Sequence, residues 1–233
     1  MPRQRAADEL RPVRLTCGFT EATPGSVLIE MGRTRVLCTA SIEQEVPRWM
    51  RDSGRGWVTA EYGMLPGSSP ERVSREAYQG GRAKEISRLV GRALRSVVDL
   101  SLLGEAMVRV DCDVIEADGG TRTAAITGAW VALHDALVAG ERDGLVNADA
   151  LIDHVAAVSV GIVDGEVLLD LEYESDVAAD VDMNVVMSGR GELVEVQGTA
   201  EHKTFTRKQL NAMLDLAQQG IEQLIELQRQ AVE

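Results

Sequence analysis

The chain has 233 residues, of which 45% are hydrophobic and 26% are charged. This composition is typical of a folded protein with one or two domains, and it excludes an intrinsically disordered chain. No apolar run reaches the ~18 residues of a membrane span and residues 1–8 lack the apolar segment of a signal peptide, so we expect a soluble, cytoplasmic protein with no membrane partner.

Charge is distributed unevenly along the chain. The net charge of -13 argues against a nucleic-acid partner when it is taken as a whole, because such proteins usually carry surplus Lys and Arg. Residues 1–95, however, have 16 basic and 11 acidic side chains, whereas residues 96–233 have 8 and 26. A local cationic surface would steer a polyanion, and a solvated arginine face is the alternative that charge alone leaves open.

The three cysteines, Cys17, Cys38 and Cys112, lie far apart in the sequence and have no C-x-x-C spacing. This pattern argues against both a disulfide framework and a zinc site. We expect all three to be small buried hydrophobic residues.

After a loop-like start, alternating apolar residues predict strands at 25–31 and 34–40, joined by a hairpin turn at Gly32-Arg33. A third strand is predicted at 57–62. Residues 63–81 are rich in Gly, Pro and Ser, so we expect mostly loop there, including Arg72 and Arg75.

From Arg82 the apolar period becomes helical, with Arg88, Arg92 and Arg95 along the polar side. A strand at 107–114 leads into the sequence Asp-Gly-Gly-Thr-Arg at 118–122, which opens a second helix.

The second half repeats this order of elements. Strands are predicted at 155–163 and 167–171, around an Asp164-Gly165 turn, and at 181–187 and 192–196. A last helix starts at Thr206, with Gln209 completing a capping box. The pattern predicts an α+β fold of two related layers, which we divide into residues 1–145 and 146–233 of one compact unit.

The turn before the second helix has the composition of a phosphate-binding site. Gly119 and Gly120 let the backbone approach a ligand, free N–H groups at the helix start favour an anion, and Thr121 and Arg122 add polar side chains. A glycine-rich turn that serves geometry alone is the alternative.

Closely spaced carboxylates form a second candidate site. The segment contains Asp176, Asp180 and Asp182, preceded by Asp170, Glu172 and Glu174. Closely spaced carboxylates suit Mg²⁺, which takes oxygen ligands and is often bound by carboxylates and substrate phosphates together. One of them would alternatively act as a general acid, and a solvated acidic turn is the bland interpretation. The sequence lacks a Gly-x-Ser-x-Gly elbow and a His-Glu-x-x-His motif, which favours phosphoryl chemistry without a protein nucleophile.

Five strings, in order and over nearly the whole chain, closely resemble the bacterial ribonuclease PH family. They are Gly-Trp-Val-Thr-Ala-Glu-Tyr-Gly-Met-Leu-Pro at 56–66, Gly-Arg-Ala-Lys-Glu-Ile-Ser-Arg-Leu-Val-Gly-Arg at 81–92, the segment 111–123, Val-Asp-Met-Asn-Val-Val at 181–186, and Val-Gln-Gly-Thr-Ala-Glu at 196–201.

The resemblance implies a phosphorolytic 3′-to-5′ exoribonuclease that trims tRNA precursors and other RNA 3′ ends, with inorganic phosphate as co-substrate and Mg²⁺ as cofactor. It also implies a ribosomal protein S5 domain 2-like fold and a homo-oligomer, a hexameric ring built as a trimer of dimers. By motif, the implied phosphate-binding residues are Arg82, Gly120, Thr121 and Arg122. The implied catalytic and metal-binding residues are Asp176 and Asp182, and the implied RNA-binding residues are Arg72 and Arg75.

The chain departs from the family pattern at Gly67, where an arginine is usual, and at Ser87, where a glutamine is usual. Two other functions remain as alternatives, a catalytically inactive RNA-binding ring subunit of the exosome type and a small-molecule phosphate-binding enzyme. The phosphorolytic interpretation requires the guanidinium groups of Arg82 and Arg122 to lie close enough to hold one ion.

Overall fold

The computed structural model describes residue 3 and residues 5–233, which form an α+β protein with two β-sheets. The strands are β1 (Val13–Cys17), β2 (Gly25–Met31), β3 (Thr34–Glu43), β4 (Trp57–Met64), β5 (Met107–Glu116), β6 (Val155–Val163), β7 (Glu166–Leu169), β8 (Val181–Ser188) and β9 (Leu193–Ala200). The α-helices are α1 (Gly81–Arg95), α2 (Thr121–Arg142), α3 (Tyr173–Ala178) and α4 (Arg207–Val232), and short 3₁₀ helices lie at Arg48–Met50, Arg75–Gln79 and Ala148–Ala150.

The first sheet has the strand order β1-β2-β3-β5-β4, and the second has the order β7-β6-β8-β9. Pairing is antiparallel throughout except between β4 and β5, which are parallel and are connected through α1. That parallel pair therefore brings the C-terminal ends of β4 and β5, and the starts of the helices that follow them, to the same edge of the sheet.

Helix α2 is shared by the two sheets, since it packs against β2, β3 and β5 of the first and against β6 of the second. Small residues allow this close approach. A Cβ at Gly25 of β2 would lie 2.0 Å from the carbonyl oxygen of Ala132, and one at Gly128 would lie 2.7 Å from a methyl carbon of Ile29. Because α2 is buried on nearly all sides, it belongs to one core that both sheets share.

The predicted hairpins and the last helix are confirmed. Gly32 begins its two-residue turn with a φ of 58°. Asp164 and Gly165 have φ values of 50° and 84°, both positive as a type I′ turn requires. Helix α4 begins after Thr206, whose side chain accepts from the N–H of Gln209 while Gln209 caps in return. Among the described residues, no helix is both long enough and apolar enough to cross a bilayer.

Two expectations from the sequence were wrong, those for residues 13–17 as loop and for Cys17 as buried, and two short helices were not predicted. The loop-like start contains β1, an edge strand whose five residues alternate too briefly to be recognised without its partner β2. The acidic turn after β7 contains α3, and the loop before α1 contains a 3₁₀ helix. Cys38 and Cys112 are buried opposite each other on β3 and β5, as expected, but Cys17 is exposed at the end of β1.

A buried ion pair joins the N-terminal segment to the end of β7. Arg11 donates from Nε and Nη2 to the two carboxylate oxygens of Asp170, at 3.0 and 2.7 Å, and Arg11 N–H donates to Asp170 as well. Both side chains are buried, at 6% and 0% exposure. Burial alone would raise the pKa of Asp170, but the hydrogen bonds and charge of Arg11 and then the charge of Arg5 outweigh it, so that pKa is lowered.

We expect Asp170→Asn to lower the free energy of unfolding by about 3–5 kcal/mol at pH 7, because it leaves the buried Arg11 charge unpaired. Urea denaturation measures the change. Glu226→Gln, in the exposed pair with Arg229 at 3.4 Å, is the control and should cost less than about 1 kcal/mol.

The pH dependence of the same pair has a defined sign. Since the folded-state pKa of Asp170 is lowered, its stabilising contribution is present above the ordinary aspartate pKa and is lost as the pH falls through the lowered value. Asp170→Asn should therefore flatten the acid side of the stability profile. An unchanged acid limb would contradict this assignment.

Candidate active site

The turn before α2 has the geometry of an anion-binding helix start. Gly119 and Gly120 have φ values of 79° and 65°, in the left-handed region that favours glycine. A Cβ at Gly119 would lie 2.5 Å from the carbonyl oxygen of Leu171, so the turn is also packed against the segment before α3. Within the described residues, no side chain caps α2, and its first N–H groups are therefore free to bind a ligand.

The carbonyl groups of this turn accept hydrogen bonds from Arg11 and Thr34. Arg11 Nη1 donates to the carbonyl oxygen of Asp118 at 2.6 Å, and Arg11 Nη2 donates to that of Gly119 at 3.3 Å. The hydroxyl of Thr34 donates to the Gly119 carbonyl at 2.7 Å. The Asp118 N–H donates to the Thr34 hydroxyl at 3.0 Å, so Arg11 and Thr34 together fix the backbone of the turn, and the free N–H groups at the start of α2 form its open side.

Two arginines flank the open side of the turn. Arg122 is half-buried at the start of α2, where its Nη1 donates to Gln197 Oε1 at 3.1 Å and lies 3.8 Å from Glu85 Oε2. Arg82, in the first turn of α1, is exposed and makes no hydrogen bond or ion pair with any described residue. One arginine is thus held in place, while the other is available to a ligand.

The charges of both arginines affect the pKa values of Tyr62 and Asp176. Burial raises the pKa of Tyr62, and the charges of Arg82 and Arg122 both oppose that rise. The two charges likewise oppose the raised pKa of Asp176. Arg82 and Arg122 therefore lie in one electrostatic neighbourhood, as the binding of a common anion requires.

The structure also brings Asp176 and Asp182 to this neighbourhood, from α3 and β8 respectively. Desolvation raises the pKa of Asp176, and the charge of Asp182 raises it further. Desolvation followed by the charge of Glu201 raises the pKa of Asp182. Asp182 Oδ1 is buried and has no hydrogen-bond partner among the described residues, so this oxygen is open to a ligand.

The other carboxylates of the acidic segment have structural partners instead. Asp170 pairs with Arg11, Glu172 with Arg5, and Asp180 with Lys203 at 2.9 Å. They are neither metal-ligand candidates nor a merely solvated turn. In the part of the chain that the structure describes, no group of three or more His, Cys, Asp or Glu side chains could hold a metal ion.

Arg72 and Arg75 are exposed on the segment between β4 and α1, and neither bonds to a described residue. This segment is anchored by Tyr78, whose hydroxyl donates to Asp113 Oδ1 at 3.0 Å. The Tyr78 ring lies over Gly63 at the end of β4, where a Cβ would come within 1.8 Å of the ring. Gly63 is therefore required for the Tyr78 ring to pack against β4.

Several residues around Arg122 had no role predicted from the sequence. Gln197 of β9 accepts from Arg122 and donates to Glu85 at 3.2 Å and to Glu195 at 2.9 Å. Glu195 in turn pairs with Arg92 at 2.6 Å. The network joins α1, α2 and β9. Its members lie partly in the strings at 81–92, 111–123 and 196–201, but none of these strings indicated a contact between Gln197 and Arg122.

Comparison with known proteins gives consistent results. The pattern of the 3′ exoribonuclease family matches residues 9–139 with its domain 1 and residues 153–220 with its domain 2. Ribonuclease PH from Corynebacterium kroppenstedtii is 58% identical over 231 residues, covering 98% of this chain and 91% of that protein. Ribonuclease PH from Brucella ovis is 54% identical over 235 residues, covering 99% of each.

Two solved structures have a similar fold. One is an Archaeoglobus fulgidus exosome with RNA bound to the active site, with a TM-score of 0.81, 24% identity, and 95% and 90% of the two chains covered. The other is an archaeal exosome core, with a TM-score of 0.78, 24% identity, and 97% and 89% covered. The two-sheet architecture is the expected ribosomal protein S5 domain 2-like fold.

We expect Gly63→Ala to loosen the segment that carries Arg72 and Arg75, because the new methyl group displaces the Tyr78 ring. Trypsin should then cleave after these arginines several times faster than in the unmodified protein. Gly67→Ala is a matched control on the same segment, since a Cβ there contacts nothing within 4 Å. Equal cleavage rates for both variants would contradict the anchoring role of Tyr78.

Proposed function

This chain belongs to the ribonuclease PH branch of the 3′ exoribonuclease family, and from that premise we propose how its residues share the reaction. The enzyme is a phosphorolytic 3′-to-5′ exoribonuclease. An oxygen of inorganic phosphate attacks the phosphorus of the terminal phosphodiester, the bond to the preceding ribose 3′-oxygen breaks, and a nucleoside 5′-diphosphate leaves. The reverse reaction adds nucleotides to RNA 3′ ends.

We assign phosphate binding to Arg82, Gly120, Thr121 and Arg122. The uncapped start of α2 supports this assignment because it offers backbone donors and a favourable dipole to an anion. The single observation that carries the proposal is the uncapped start of α2 after two left-handed glycines, and the charges of Arg82 and Arg122 both act on Tyr62 and Asp176 beside it. Fixed positive charge beside an attacking anion lowers the barrier mainly by positioning and by charge stabilisation.

Asp176 and Asp182 are the proposed catalytic carboxylates, supplied by residues 146–233, whereas the phosphate-binding residues come from residues 1–145. We keep this division into two halves of one compact unit as a proposal. The departing ribose 3′-oxygen must gain a proton, and a carboxyl group with a raised pKa is a suitable donor.

Magnesium is the proposed metal, held by Asp176 and Asp182. The unpartnered Asp182 Oδ1 and the mutual repulsion of two nearby carboxylates fit a cation between them. Mg²⁺ typically binds through one or two carboxylates and completes its shell with water and substrate phosphates, so two protein ligands suffice. When bound, it would offset the negative charge that develops on the reacting phosphates.

Arg72 and Arg75 are the proposed RNA contacts, with tRNA precursors and other RNA 3′ ends as substrates. Both side chains are exposed on a segment that the Tyr78 anchor holds beside the site. Gly67 lacks the arginine that is usual at its position, so these two residues carry more of the phosphate contacts there. An enzyme with these substrates works in the cytoplasm.

We propose a hexameric ring, a trimer of dimers, as the assembly. The fold relatives include a chain of an archaeal exosome core. Large apolar side chains are exposed on this chain, among them Trp49 at 69%, Tyr173 at 61% and Leu193 at 53%. Such exposed apolar surface is typical of subunit interfaces.

The test of the reaction uses a tRNA with extra 3′ nucleotides, Mg²⁺ and inorganic phosphate. We expect nucleoside 5′-diphosphates that appear only with phosphate, and Arg122→Ala should raise the phosphate KM by about 10²-fold with a much smaller change in RNA affinity. The double variant Arg72→Ala and Arg75→Ala is the matched comparison and should weaken RNA binding but leave the phosphate KM within about twofold. Nucleoside monophosphates as products, or digestion without phosphate, would refute phosphorolysis.

The metal assignment makes a separate prediction. Asp182→Asn should lower kcat by about 10²-fold or more, because the buried oxygen loses its charge toward Mg²⁺. Asp180→Asn, two residues away and paired with Lys203, should stay within about threefold of the unmodified enzyme. Because the pKa of Asp182 is raised, the Mg²⁺ concentration for half-maximal activity should rise as the pH falls. A similar loss in both variants would remove Asp182 from this role.

A further inference from the structure

Tyr62 lies directly beneath the start of α2, at the C-terminal end of β4. Its hydroxyl is 2.7 Å from the Thr121 hydroxyl. We propose that Tyr62 is a positioning residue for inorganic phosphate, which fixes the Thr121 hydroxyl as a hydrogen-bond donor toward the bound ion. This inference rests on the proposed phosphate site and adds a residue to it.

Either hydroxyl is placed to donate in this hydrogen bond, and the proposal assigns the donor role to Tyr62. Tyr62 is 4% exposed, so its O–H needs an acceptor within the protein, and Thr121 Oγ1 is its hydrogen-bond partner among the described residues. When Tyr62 donates to Thr121, the Thr121 proton must point elsewhere. Thr121 is the first residue of α2, so the proposal directs its proton toward the free N–H groups and the phosphate that they would bind.

The charge state of Tyr62 suits this role. Burial raises its pKa, while the Thr121 hydrogen bond and the charges of Arg82 and Arg122 oppose the rise without cancelling it. The phenol therefore stays neutral at working pH, and it adds no negative charge beside the incoming phosphate. It also keeps the proton that orients Thr121.

Tyr62 is itself fixed to α1. Its backbone N–H donates to Ser87 Oγ at 3.0 Å, and Ser87 donates to the carbonyl oxygen of Ala83 at 2.8 Å. Ala83 follows Arg82 directly. Tyr62 thus contacts α1 through its backbone and α2 through its side chain, which sets the two phosphate-binding helix starts relative to each other. Ser87, where the family usually has glutamine, supplies one of these two links.

The first test is Tyr62→Phe, which removes the hydroxyl and keeps the ring in the core. We expect the phosphate KM to rise about fivefold, with kcat and the RNA KM within about twofold, because one hydrogen bond to the phosphate-binding residue is no longer oriented. The dissociation constant of phosphate for the free enzyme, measured without RNA, should rise by the same factor. Urea denaturation checks that the variant remains folded at the assay temperature.

A double-variant cycle distinguishes positioning from packing. If Tyr62 acts through the Thr121 hydroxyl, Tyr62→Phe should change the phosphate KM less than about twofold in a Thr121→Val background. In a Thr121→Ser background, which keeps the hydroxyl and folds with less disturbance, the roughly fivefold effect should return. A purely structural role would produce the same factor in all three backgrounds.

Two results would overturn the inference. One is a Tyr62→Phe enzyme with an unchanged phosphate KM, and the other is an equal effect of Tyr62→Phe with and without the Thr121 hydroxyl. Both leave the proposed function standing, provided the unmodified enzyme releases nucleoside 5′-diphosphates in a phosphate-dependent way. Failure of that reaction in the unmodified enzyme would instead refute the proposed function.

Discussion

The buried pair of Arg11 and Asp170 is the interaction on which the site depends. One side chain comes from the segment before β1 and the other from the end of β7, and together they lie under the glycine turn. Arg11 also binds the carbonyl oxygens of that turn. The turn has two consecutive left-handed residues, Gly119 and Gly120, and the ion pair and Thr34 hold its backbone in that conformation.

The site brings positive and negative side chains together within a protein whose overall charge is negative. An acidic chain of net charge -13 places Arg82 and Arg122 where Asp176 and Asp182 also meet. Each arginine limits the rise in pKa of a neighbouring acid, and the acids keep the arginines from forming a site for any polyanion. A bound phosphate would neutralise the charge of the arginines, and a bound cation would neutralise the charge of the aspartates. Such a site suits a reaction that joins two phosphoryl groups.

Local patterns in the sequence predicted most of the fold. The α4 capping box, the Asp164-Gly165 turn and the apolar period of α1 each depend on residues a few positions apart. The pairing of Arg11 with Asp170 was not predicted, because 159 positions separate them and neither has a local signature. For the site, motif resemblance supplied the residues proposed to bind phosphate, metal and RNA, whereas Tyr62 and Gln197 received no role because their partners Thr121 and Arg122 lie 59 and 75 positions away in the sequence.

The sharing of α2 by both sheets limits how the enzyme can move. Many enzymes with a cleft between two lobes close it by a hinge, which requires a thin connection with few buried contacts. Here the helix that begins at the proposed phosphate site packs against both sheets, and its contacts at Gly25 and Gly128 leave no room for a Cβ. We therefore expect substrate access and product release to depend on surface segments such as the one between β4 and α1 rather than on a hinge between the two sheets.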